Sequence, residues 1–229
     1  MSRTLTKHAT DDVKLLLDTL STASTSAEAY RSAMYKLGAA FAPILAKKAH
    51  VSDELIIACT VEDADFLAKG IIDTAEELNF FSSIRLVCFW NTRLSTGDRW
   101  TDDSASPIVR RYREPQTEEK RHLFVVVKSI IASGCTVRTN MTNLLSCLDP
   151  RDQIIIAAPV LLEDAKADLQ KAFLEYFKRF ELLSFAIDNE TNELGEVIPG
   201  IGGNVYKRLG IDKFIVPNIV KNRRQLFAH

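Results

Sequence analysis

Residues 122–148 read HLFVVVKSIIASGCTVRTNMTNLLSCL, and this stretch decides the fold. Leu123 to Val127 is an apolar run of strand length. Ser133-Gly134-Cys135-Thr136 follows as a turn rich in hydroxyl and backbone N–H donors. From Val137 the spacing becomes helical. A turn of that kind, opening a helix behind a buried strand, suits a phosphate group. The plainer alternative is a turn that Thr136 merely caps.

Working outward, further strands and helices alternate around this unit. Leu55 to Cys59, Ile84 to Phe89, Gln153 to Ala158 and Leu182 to Ile187 read as strands, the third closed by Pro159. Phe66, Leu67, Gly70, Ile71, Ala75 and Leu78 carry one helix, and residues 161–180 another. The alternation predicts an α/β fold, a parallel sheet with helices on both faces. Ligands of such sheets bind beyond the carboxyl ends of the strands, where Thr60, Ser129 to Thr136 and Asp188 fall. The segment Thr60 to Asp65 reads as a loop. Its Glu62, Asp63 and Asp65 either bind a cation or form the acidic first turn of the next helix.

Upstream, residues 1–24 are predicted as a short helix and a linker. A second helix follows, with Thr25 and Glu28 at capping-box spacing and Tyr30, Met34, Leu37 and Phe41 on one face. It packs either on its own sheet or on a neighbouring element or subunit, and Pro43 kinks or ends it. Residues 91–121 are polar and too long for a plain connection, which predicts a lid, a hairpin or a disordered segment. Their Arg93, Arg99, Arg110, Arg111 and Arg113 either clamp an anion or partner or form a solvated loop. Downstream, Val197-Ile198-Pro199-Gly200-Ile201-Gly202-Gly203 is a loop whose glycines let backbone approach a flat ligand, or simply turn beneath the sheet. The tail reads as a strand or extended arm ending in Lys221, Arg223 and Arg224.

Bulk properties narrow the class. Lys+Arg number 29 and Asp+Glu 30, which argues against broad nucleic-acid binding but leaves room for a local patch. The four cysteines lack CxxC spacing and read as reduced thiols of a cytoplasmic protein, without zinc. The N-terminus shows no apolar signal segment, and no apolar run reaches about 18 residues, so no membrane span is expected.

Two blocks carry a family resemblance over nearly the whole chain. Residues 126–136, VVKSIIASGCT, and residues 186–202, AIDNETNELGEVIPGIG, resemble the type I phosphoribosyltransferases, and within them the uracil phosphoribosyltransferases. Tyr30-Arg31 with Lys36-Leu37-Gly38 is similar to that family's N-terminal helix. The resemblance implies the phosphoribosyltransferase fold, with an N-terminal helical arm (1–24) before one domain (25–229). Within that domain the lid or hairpin lies at about 91–121 and a hood at about 189–229. It also implies a homodimer. The family transfers phosphoribose from PRPP to uracil, with magnesium assisting at the pyrophosphate. Carried over, Ser133, Gly134, Cys135 and Thr136 form the 5′-phosphate cradle, with Lys128 beside them. Ile198, Gly200 and Gly202 place the base, and Asp188 adds a polar contact.

Departures from the family pattern are equally specific. Lys128 stands where an acidic residue grips the ribose. Thr60-Val61-Glu62-Asp63 stands where an arginine-alanine-glycine loop holds pyrophosphate. Cys135 replaces a glycine, and Gly203-Asn204-Val205-Tyr206 replaces a segment with two acids. Lys128 has two readings of its own, a phosphate contact or a solvated strand-end lysine. Two functions are therefore carried forward. One is a phosphoribosyl- or nucleotide-binding protein, with transfer or cleavage at the N-glycosidic bond. The other is a non-catalytic nucleotide-sensing or assembly subunit. Divergent phosphoribosyltransferase-like proteins also resemble effectors of bacterial anti-phage systems such as retrons. That analogy implies a protein or nucleoprotein partner at the 91–121 loop and the basic C-terminal tail.

Overall fold

The computed structural model describes residues 3–50, 53–92, 106–116, 121–149, 151–174 and 180–226. Its centre is a sheet of strands β1 (Arg3–Leu5), β2 (Glu54–Thr60), β3 (Ser83–Asn91), β4 (Ile108–Arg113), β5 (His122–Val127), β6 (Ile130–Ile131), β7 (Gln153–Leu162) and β8 (Phe180–Asp188). The order is β1-β8-β7-β5-β2-β3-β4, with β6 pairing β7. The five strands from β8 to β3 are parallel, and β1 and β4 close the edges antiparallel.

The central strands are apolar throughout because both of their faces are covered. In β2, Leu55, Ile57 and Cys59 enter one core and Ile56 and Ala58 the other. In β5, Leu123, Val125 and Val127 alternate in the same way with Phe124 and Val126. The first core is built with α1 (Asp11–Ser21), α2 (Ala27–Ala46) and α4 (Lys69–Leu78). The second is built with α5 (Cys135–Leu144) and α6 (Glu163–Leu174). The chain continues through β9 (Glu190–Thr191), β10 (Val197–Ile198), α7 (Val205–Leu209) and α8 (Asn218–Leu226).

Several expectations are corrected. Residues Arg3–Leu5 are a strand rather than part of a helix and linker, with Arg3 opposite Asp188. Ser26, not Thr25, caps α2 by accepting from the Ala29 N–H at 3.2 Å. Pro43 does not end α2, which packs on its own sheet with Phe41 stacked on Phe185 at 4.1 Å. The segment after β2 is not a loop. Helix α3 (Val61–Asp63) starts directly, and a π-helical turn (Ala64–Ala68) leads into α4.

Strand β7 runs through Pro159. The missing N–H falls between Ala157, which pairs with β5, and Val160, which pairs with β6. The described part of 91–121 returns along β3 as the antiparallel β4, with residues 93–105 and 117–120, including Arg93 and Arg99, outside the described residues. The tail is the helix α8 rather than an extended arm, because Asp65 accepts from the Asn218 and Ile219 N–H groups at 2.8 Å each and caps it. Among the described residues no helix is long and apolar enough to cross a membrane.

Candidate functional site

The carboxyl ends of β2, β3, β5 and β8 bring Thr60, Asn91, Lys128 and Asp188 to one edge of the sheet. After β5 the chain stays pinned to the sheet. The Lys128 N–H donates to the Ala157 carbonyl at 3.0 Å, and Ile130–Ile131 pair with β7. It then turns at Gly134, whose φ of 69° is left-handed, and α5 begins at Cys135. A Cβ at Gly134 would sit 3.1 Å from the Leu169 side chain, so conformation and packing both require glycine there. The cap residue Gly134 has no side chain to offer, the Cys135 N–H donates to Ser133 Oγ at 3.5 Å, and Thr136 lies inside the first turn rather than at the cap. The helix therefore opens with its amide end directed at the Ser133–Thr136 turn. Ser133 is exposed, and the buried Thr136 hydroxyl pairs with Ser106 at 3.0 Å.

Lys128 is neither solvated nor directed at this turn. It is 8% exposed, and its ammonium donates to Glu62 Oε1 and Asp63 Oδ2, both at 2.9 Å, and to Ser129 Oγ at 3.4 Å. The remaining carboxylate oxygens are also engaged: Tyr206 donates to Glu62 Oε2 at 2.8 Å and the Ser129 N–H to Asp63 Oδ1 at 3.2 Å, while Thr60 donates to Asp63 Oδ2, the oxygen that also accepts from Lys128, at 2.8 Å. Burial opposes the ammonium, yet Asp63 and Glu62 outweigh it and hold Lys128 above the ordinary lysine range. Burial also opposes the Glu62 carboxylate, and Lys128 and Tyr206 overcome it, so Glu62 is held below its usual value. At Asp63 burial wins over the pull of Lys128, and with repulsion from Glu62 the carboxyl is raised.

A divalent cation does not fit this arrangement. Magnesium wants oxygen ligands in near-octahedral geometry. Both carboxylates already serve an ammonium, and no group of three or more His, Cys, Asp or Glu suited to a metal occurs among the described residues. Asp65, the third acid of the segment, is occupied in capping α8.

Asp188 is likewise committed within the chain. Arg3 donates Nε and Nη2 to its two oxygens at 2.8 Å each, and the Gly200 N–H donates to Oδ2 at 2.9 Å. Arg3 also donates to the Gly200 carbonyl at 2.6 Å, so one ion pair holds both polar groups of that peptide residue. Gly200 has φ 56°, and a Cβ there would lie 2.2 Å from the Val197 carbonyl oxygen and 3.4 Å from Ile130 Cδ1. At Gly202 a Cβ would meet the Leu20 carbonyl at 2.4 Å. The close backbone approach that these glycines permit is therefore made to the chain itself. Tyr30 adds a hydrogen bond to the Ile201 carbonyl at 2.9 Å. A Cβ at Gly200 would thus come up against Ile130 of the phosphate-type loop, and Ile198 is half-buried.

The described arginines of 91–121 and of the tail have partners within the chain, although Arg110, Arg111 and Arg224 are exposed. Arg110 lies over Trp90, Arg111 donates to Asn143, and Arg113 pairs with Cys147 and Gln116. Arg223 bridges the fully buried Glu114 and the exposed Glu76, and Arg224 lies over Tyr112. Sequence reasoning did not find Arg3, Ser106 or Tyr206. The only signal for Tyr206 was its place in the segment where two acids were expected.

No protein-family model matches the chain, and no curated protein matches it. Solved structures do. AQ2163 protein from Aquifex aeolicus is 18% identical, with a TM-score of 0.68 over 86% of this chain and 93% of that one. A hypothetical protein from Neisseria gonorrhoeae with bound ppGpp is 16% identical, with a TM-score of 0.45 over 69% of this chain and 80% of that one. A hypoxanthine phosphoribosyltransferase from Staphylococcus aureus is 15% identical, with a TM-score of 0.41 over 72% and 84%. What the chain shares with such structures is an α/β fold, a mainly parallel sheet between two layers of helices.

Proposed function

We propose that this chain is a nucleotide-binding module that grips the 5′-phosphate of a nucleotide or phosphoribosyl ligand and does not transfer phosphoribose from PRPP. The phosphate is held at the Ser133–Thr136 turn by backbone N–H groups of the α5 opening and by the Ser133 hydroxyl. Support comes from Gly134 in its left-handed conformation at the helix start and the position at the carboxyl edge of a parallel sheet. The base is placed by the loop of Ile198, Gly200 and Gly202; support comes from the Arg3–Asp188 pair that fixes this loop beside the end of β8. Asp188 acts through the loop it holds rather than on the ligand.

One observation carries the non-transferring reading. The two departures from a PRPP-using pattern, Lys128 in one motif and Glu62-Asp63 in another, answer each other at 2.9 Å. No carboxylate remains for ribose hydroxyls at Lys128, because an ammonium only donates. The acids at 62 and 63 would repel pyrophosphate rather than attract it.

Calorimetric titration tests this. Nucleoside 5′-monophosphates should bind, their nucleosides should not, and Gly134→Asp should abolish binding. PRPP with uracil and Mg2+ should release no pyrophosphate. Pyrophosphate release would restore the transferase reading, and failure of every 5′-phosphate to bind would reduce the turn to a structural one.

A further inference from the structure

We infer that Lys128 is a built-in counter-cation, occupying by its side chain the place between Glu62 and Asp63 that a divalent ion would otherwise take, so that this site works without a metal. The inference concerns the acidic pair alone and holds whichever phosphate ligand the neighbouring turn accepts.

Three observations carry it. First, the two carboxylates come from consecutive residues at the start of α3, and both are buried, with side chains 11% and 1% exposed. Buried carboxylates need a compensating positive charge, and the fold must supply it or recruit it. Second, the Lys128 ammonium meets that need from the end of β5. A lysine is a compact point charge with three donors, and here the donors go to Glu62, Asp63 and Ser129. Third, the other two carboxylate oxygens are held by Tyr206 and the Ser129 N–H, and Thr60 shares Asp63 Oδ2 with the ammonium. A metal ion would have to break these bonds as well as expel the ammonium. Because the ammonium is tethered, a free ion competes against a high effective concentration that does not dilute.

The same geometry states what the lysine prevents. Without it, two carboxylates, the Thr60 hydroxyl and the Tyr206 hydroxyl surround a vacated position with hard oxygen atoms. Such donors suit Mg2+ or Mn2+.

The test uses Mn2+ alone, observed by electron paramagnetic resonance on the ligand-free full chain. The unaltered protein should bind no Mn2+ at millimolar concentrations. Lys128→Ala should bind a single ion, with affinity in about the millimolar range expected of a site with few charged ligands. Adding Glu62→Gln and Asp63→Asn to that variant should remove the ion again. If Lys128→Ala does not fold in buffer, refolding is the readout. Recovery of the native circular dichroism spectrum in MnCl2, but not in NaCl of equal ionic strength, supports the inference. Two results overturn it: Mn2+ bound by the unaltered chain and lost in Glu62→Gln, or Lys128→Ala gaining neither metal binding nor metal-dependent refolding.

Discussion

Arg3 and Asp188 form a bidentate ion pair across the antiparallel β1–β8 pairing, with both hydrogen bonds at 2.8 Å. Asp188 is fully buried, and its Oδ2 also accepts from the Gly200 N–H. A three-residue edge strand thus fixes the loop proposed to carry the base. Its sheet hydrogen bonds are few, so the guanidinium is a large part of what holds it.

The pair is asymmetric, and so are the expected variants. Arg3→Met strands a buried carboxylate and should cost about 3–5 kcal/mol. Asp188→Asn leaves a partly exposed arginine that can turn to solvent and should cost less. The double variant should be more stable than Arg3→Met alone, because the stranded charge is gone. Urea denaturation of the three proteins checks the order. Equal costs for both single variants would show that strand pairing, not charge, sets the stability.

The strands around Ile57, Val87, Val125, Ile155 and Leu183 were legible because burial on both faces turns each into an apolar run bounded by turns. The segments that misled share a different origin. Arg3–Leu5 is too short to show any period, and its place depends on Asp188, 185 residues away. Ile108–Arg113 is an edge strand whose arginines read as solvated. Asn218–Leu226 reads as an arm until Asp65 supplies its cap. At the site, the turn at Gly134 was readable because turn and helix lie in one stretch of sequence. The Lys128 network was not. Glu62 and Asp63 look like a solvated helix start, and only the sheet brings Lys128 to them while α7 covers them with Tyr206.

Lys128 makes a second charge-removal series. Lys128→Met leaves Glu62 and Asp63 buried without their cation and should cost about 3–5 kcal/mol. The isosteric triple variant Lys128→Met, Glu62→Gln, Asp63→Asn removes the charges together and should recover most of that loss. Chemical denaturation with matched m-values is the check. A triple variant as unstable as the single one would show that the hydrogen bonds, not the charge balance, matter.

Gly134 is required twice over, by its positive φ and by Leu169. Gly134→Ala should cost about 1–2 kcal/mol from the left-handed backbone, with an added penalty from the 3.1 Å contact. Combining it with Leu169→Ala relieves the contact but not the backbone strain, and exchanges that relief for a cavity. Hydrogen exchange should report faster opening of the first turn of α5 in Gly134→Ala, and 5′-phosphate binding should weaken with it. Unchanged exchange at that turn would mean that the loop relaxes without cost.

The hydroxyl of Tyr206 ties α7 to the buried charges, and its titration gives the alkaline limit of stability a local origin. Burial and the Glu62 carboxylate both raise its folded-state pKa above the ordinary tyrosine value of 10.0. Lys128 is also raised, from an ordinary 10.5. In each case the folded state holds its proton to higher pH than the unfolded chain. Stability from these groups is therefore fully present below their unfolded values and declines as pH rises beyond about 10. Tyr206→Phe deletes one of the retained protons. Its stability should fall less steeply above pH 10, by about one proton in the linkage slope, although it starts lower at neutral pH because Glu62 Oε2 loses a donor. Urea midpoints measured from neutral to alkaline pH decide it. Parallel curves for the two proteins would show that Tyr206 titrates alike in the folded and unfolded states.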